Sequence, residues 1–87
     1  MKLVNKKIDM ISWTSKDGSV TPVRFRLEEE DGETLIIKVD RIIQTDRNKF
    51  GGSPTLRFLC SSIIDGIEKL YELTCNCDSQ KWLLRKI

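Results

Sequence analysis

The side chains of this chain that could do chemistry are cations, carboxylates and thiols, without an imidazole among them. The sequence has no histidine, which removes the commonest general base, the commonest metal ligand and any standard catalytic triad. Cys60, Cys75 and Cys77 are the three cysteines. Cys75-Asn76-Cys77 would point two thiols the same way on a strand. A closed zinc site, however, needs four ligands and usually a C-x₂₋₄-C spacing. The three read as small core residues, with metal or redox use as the competing reading. The run Glu28-Glu29-Glu30-Asp31 with Glu33 is a solvated hairpin tip, since a calcium loop needs longer and more regular ligand spacing. Gly51-Gly52-Ser53 has no strand-to-helix context and reads as a turn, not a phosphate loop. No catalytic residue, metal or cofactor is expected, and the chain is read as a non-enzyme.

The cations carry the remaining chemistry. Arg24, Arg26 and Lys38 share one face of a predicted hairpin, and Arg41, Arg47, Lys49 and the aromatic Phe50 follow. A basic β-surface beside a loop with an aromatic is one way small barrels hold single-stranded nucleic acid. The competing reading is an ordinary mixed-charge surface, because fifteen basic residues stand against thirteen acidic ones and the net charge is only +2. Arg57 and Glu72 are expected as a diagonal surface ion pair of small worth.

Eighty-seven residues make a single domain, 1–87. An apolar content of 39% with 32% charged residues suits a folded domain with one modest core. The start Met1-Lys2-Leu3-Val4-Asn5-Lys6-Lys7 is basic, but Asp9 interrupts any apolar stretch behind it, and nothing approaches a membrane span. The chain is read as cytoplasmic, which three cysteines, an odd number, also favour.

Turn chemistry and alternation define the elements that would position these groups. Asp17-Gly18, Asp31-Gly32 and Asp65-Gly66 punctuate the chain, and Asp-Gly between alternating runs signals a hairpin. Between Pro22 and Val39, a three-residue loop Glu30-Asp31-Gly32 pairs Leu27 with Leu35, Phe25 with Ile37 and Val23 with Val39. That register keeps one face apolar and sets Arg24 opposite Lys38, with Asp40 diagonal to Arg24 as an offset. Ile42-Ile43 breaks parity and predicts a bulge or a strand end. Residues 44–54 are read as the longest loop, with a helical turn near 45–50 capped by Thr45 and stopped at Gly51, and with Phe50 reaching back to the core. A two-residue Asp65-Gly66 turn pairs Ile64 with Ile67, Cys60 with Tyr71, Phe58 with Leu73 and Leu56 with Cys75. A reversal at Asp78-Ser79 then sets Trp82 against Cys75 and Leu84 against Leu73. The expected fold is all-β: about six antiparallel strands in two three-stranded meanders, closing as a small SH3-like barrel or sandwich.

The pattern Asp17-Gly18, Pro22-Val23-Arg24-Phe25-Arg26, Val39-Asp40-Arg41-Ile42, Tyr71-Glu72-Leu73 and Lys81-Trp82-Leu83-Leu84-Arg85-Lys86-Ile87 resembles a group of small uncharacterised all-β proteins of Gram-positive, clostridia-like bacteria. More loosely, its Pro-x-Arg-Phe-Arg start and Tyr-Glu-Leu…Trp-x-Leu end are similar to small bacterial β-domains found near DNA-repair proteins. The resemblance implies an all-β fold and carries no active site. Two functions are therefore expected. One is a binding module for nucleic acid through Arg24, Arg26, Lys38, Arg41, Arg47, Lys49 and Phe50. The other is a protein-interaction or self-associating domain, a homodimer included, through an apolar strand face of Leu59, Ile63, Leu70 and Leu83. No membrane partner is expected.

Overall fold

The structure, a computed structural model, describes residues 1–50 and 52–87, with Lys49 and Phe50 described by backbone alone. It consists of β1 (Leu3–Thr14), β2 (Val20–Glu28), β3 (Thr34–Lys38), β4 (Arg41–Phe50), β5 (Ser53–Ile64), β6 (Ile67–Asn76) and β7 (Trp82–Lys86). They form one sheet in the order β3-β2-β1-β7-β6-β5-β4, antiparallel throughout and curled into a half-barrel. The first and last strands pair and so join the meander β1–β3 to the meander β4–β7. No helix among the described residues is long and apolar enough to cross a membrane.

The turns follow from their Asp-Gly pairs. Around Gly32 (φ 84°), the Gly32 N–H donates to the Glu29 carbonyl, and the Glu29 N–H to the Glu33 carbonyl. This closes the three-residue loop and gives the pairs Leu27–Leu35 and Phe25–Ile37. The Asp31 carboxylate accepts the Glu33 N–H at 2.9 Å. Asp17-Gly18 repeats this device: Gly18 N–H donates to the Ser15 carbonyl, and the Asp17 carboxylate accepts from the Ser15 hydroxyl and the Ser19 N–H. Those hydrogen bonds, the Ser15 hydroxyl first, hold the Asp17 pKa down to about 2. Asp65-Gly66 differs, with both residues at positive φ (52° and 77°). It is a two-residue turn carrying the pairs Ile64–Ile67, Cys60–Tyr71, Phe58–Leu73 and Leu56–Cys75.

The expected helical turn near 45–50 is instead strand β4, so the second meander has four strands and the sheet seven. Ile42-Ile43 is a bulge inside this strand: the register shifts between Ile42 and Gln44, and pairing then continues through Thr45–Phe58 to Phe50–Ser53. An ion pair from Arg57 to Asp46, at 2.7 Å, fastens the strand where a helix cap was expected. Backbone pairing with β5 outweighs a single Thr-Asp capping signal. The expected stop at Gly51 and the reach of the Phe50 side chain lie outside the described residues.

The core lies on the inner face, built from Phe25, Leu27, Ile37, Phe58, Cys60, Tyr71, Leu73, Cys75, Trp82 and Leu84. The rings of Phe58 and Trp82 stack at 5.6 Å, and those of Phe25 and Tyr71 meet tilted at 5.5 Å. Val23, expected in this core, is 40% exposed. The pairing steps from Ile11–Arg24 to Ser12–Pro22, which leaves Val23 as the extra residue of a bulge on β2. Its backbone still serves the sheet, because its carbonyl accepts the Val39 N–H.

The seam between the meanders is polar. Ser62, 1% exposed, donates its hydroxyl to the Lys38 carbonyl at 2.6 Å, accepts from the Tyr71 hydroxyl at 2.6 Å and accepts the Asp40 N–H. Asp40 returns a contact, accepting the Ile63 N–H at 2.8 Å. The β3–β4 corner is thereby pinned to β5.

Candidate nucleic-acid interface

Alternation along β1, β2 and β3 turns one set of side chains away from the core. On β1 the charged Asp9 shares parity with Ile11 and Trp13, while Ile8 and Met10 pack against the core on the other parity. On β2, Phe25 and Leu27 are buried, and Arg24 and Arg26 stand outside. On β3, Ile37 is buried between the exposed Ile36 and Lys38. The registers then build rows across three strands. Ile11, Arg24 and Lys38 form one, Asp9, Arg26 and Ile36 the next, and Trp13 faces Thr21 at the far end.

Charge is unevenly satisfied within these rows. Arg26 donates from Nη2 and Nε to the Asp9 carboxylate at 2.7 and 3.1 Å. Arg24 and Lys38 are directly opposite each other and have no carboxylate within 4 Å among the described residues. Asp40, expected to offset Arg24, instead spends its carboxylate on the Ile63 N–H. Like charges so placed cost about 0.2–1 kcal/mol, and here no ion pair compensates them. An anion would.

The same face carries apolar surface that sequence reasoning did not assign to it. Trp13 is 69% exposed, Ile36 63% and Ile11 54%. A shallow depression runs between Ile11, Arg24, Arg26 and Ile36 with Asp9 at its border. The signal was present in the sequence: Asp9 fixes the outer parity of β1, and Lys38 that of β3. Ile11, Trp13 and Ile36 then follow by counting in twos.

The other expected cations, Arg41, Arg47 and Lys49, all belong to β4, at the opposite end of the strand order. Arg47 pairs with Leu56 and borders a depression that also holds Ser12, Thr14, Cys75, Cys77 and Trp82. The side chains of Lys49 and Phe50 lie outside the described residues. Of the expected apolar patch, Ile63 (61%) and Leu70 (48%) are exposed and diagonal on the outer side of β5–β6. Leu59 and Leu83 are half-buried.

Two further groups are placed for structure. Glu72, with a side chain only 8% exposed, sits between Arg57 at 3.6 Å and Arg85 at 3.4 Å. Arg57 also reaches Asp46, which lowers that carboxyl's pKa, and Arg85 reaches Asn5. A polar row therefore crosses five strands, more than the isolated surface pair expected. Cys60 and Cys75 are buried. Burial pushes their thiol pKa values up to about 12 and about 11, which keeps both protonated and poorly nucleophilic at neutral pH.

Comparison with known proteins assigns the chain to no family: no family model, no curated protein and no solved structure matches it.

Proposed function

We propose that this protein is a binding module, not an enzyme, and that the outer face of β1–β3 binds nucleic acid. The observation that carries the reading is the unpaired Arg24–Lys38 opposition on an exposed sheet face beside Trp13. Phosphate oxygens would supply the negative charge that the fold does not. The buried, protonated thiols and the lack of histidine support a binding role over a catalytic one.

The test is fluorescence anisotropy of labelled oligonucleotides, single- and double-stranded, at low salt. Affinity falls as salt rises, with log K changing by roughly −0.7 per phosphate contact against log salt on a single strand. Arg24→Ala and Lys38→Ala each weaken binding and flatten that slope by about one contact. Lys69→Ala, which removes an equal charge from β6, leaves affinity close to wild type. Absence of binding to both forms, or equal losses from all three variants, would contradict the proposal.

A second reading rests on Ile63 and Leu70, whose diagonal exposure on β5–β6 offers an apolar contact for a protein partner or a second copy. Sedimentation separates the two readings. A mass that doubles with concentration, and is restored to the monomer by Ile63→Asp, would favour self-association.

A further inference from the structure

We infer that the ligand of the β1–β3 face is single-stranded, with a base stacked on Trp13 while its flanking phosphates meet Arg24 and Lys38. This inference rests on the nucleic-acid reading above and adds the form of the ligand and the residue that selects it. Arg24 and Lys38, with Lys7 further along the outer parity of β1, are few cations for a duplex, whose binding can draw on roughly 6–10 phosphate contacts. A duplex also covers the faces of its bases and presents only their edges. The exposed apolar groups here ask for the opposite: a ligand with open π-faces. Trp13 at 69% exposed, with Ile11 and Ile36 beside the cations, supplies a stacking surface that a duplex has nothing to fill.

The spacing agrees. Arg24 and Lys38 are neighbours across one strand pair, and Trp13 lies one side-chain repeat beyond Ile11, the β1 partner of Arg24. That repeat is roughly 7 Å along the strand, a step that one nucleotide bridges from phosphate to base. Sequence tolerance follows, because every base offers a π-face.

The protein contains its own probe. It has two tryptophans: Trp82 is 8% exposed and stacked on Phe58, so quenching by an added ligand reports Trp13. The experiment titrates the full chain with a short oligothymidylate, an abasic strand of the same length, and the corresponding duplex. The oligothymidylate quenches Trp13 and binds more tightly than the abasic strand by roughly 5- to 150-fold, the worth of one stacked base. It also binds more tightly than the duplex. By anisotropy of a labelled strand, Trp13→Ala loses a similar factor and Trp13→Phe keeps most of it, while the Trp82 emission confirms that both variants fold. Equal affinity for abasic and thymidylate strands, an unchanged Trp13→Ala, or a preference for duplex would overturn stacking. In that case an effect of Arg24→Ala and Lys38→Ala would leave the broader reading standing. No binding of any of the three would overturn both.

Discussion

At the residue scale, Ser62 ties three residues, Lys38, Asp40 and Tyr71, together from one buried side chain. Ser62→Ala strands the Tyr71 hydroxyl and loosens the β3–β4 corner, so urea denaturation should show a loss of about 1–3 kcal/mol, the usual penalty for leaving a buried polar group unpaired. An unchanged midpoint would mean that the corner is held elsewhere. Burial also sets an alkaline limit. Tyr71 moves from 10.0 up to about 12, Cys60 from 9.0 to about 12 and Cys75 from 9.0 to about 11. These groups ionise more easily in the unfolded chain, so their contribution is complete below about pH 9 and is lost as pH rises from there to about 12. Urea midpoints measured between those limits should fall steadily, and a flat profile would refute the burial of these groups.

At the scale of elements, the outer faces of the two meanders use charge differently. Across β4–β7 the row Asp46–Arg57–Glu72–Arg85 is internally paired, and its weak point is the nearly buried Glu72. Removing Arg57 alone leaves Arg85 beside that carboxylate. The double variant Arg57→Ala/Arg85→Ala leaves it with neither and should cost roughly 3–5 kcal/mol, the penalty of stranding a buried charge. Adding Glu72→Gln to that pair should recover a large part of it in the same denaturation assay. Across β1–β3, by contrast, the Asp9–Arg26 pair is 73% and 59% exposed at its side chains and adds little stability. Its larger effect is to occupy a third cation on the proposed binding face. Asp9→Asn frees Arg26 and should tighten oligonucleotide binding several-fold. The gain should vanish when Arg26→Ala is the background, and its persistence there would assign it to long-range charge alone. The hairpin registers were legible in the sequence because Asp-Gly chemistry and alternation agree on them. β4 was not. Its bulge at Ile42-Ile43 disguises the alternation, and Thr45-Asp46 imitates a helix cap whose outcome only pairing with β5 decides.

At the scale of the whole molecule, a net charge of +2 conceals an uneven surface: among the described residues the row Asp46–Arg57–Glu72–Arg85 is internally paired, while Arg24 and Lys38 face each other without a carboxylate partner. Composition could not show this, and strand order could not be read locally. The β1–β7 pairing that makes one sheet of two meanders joins the ends of the chain, so no turn signal announces it. Trp13 was missed although Asp9 marks the outer parity of β1, because the apolar residues Ile8, Met10, Ile11 and Trp13 fall on both parities of that strand. Binding of nucleic acid at the β1–β3 face can be located by amide and indole chemical-shift mapping of the labelled protein during titration with a short single-stranded oligonucleotide. Shifts should concentrate at Ile11, Trp13, Arg24, Ile36 and Lys38, with the Trp82 indole and the β5–β6 hairpin unmoved. Shifts centred on Ile63 and Leu70, or none at all at low salt, would contradict it.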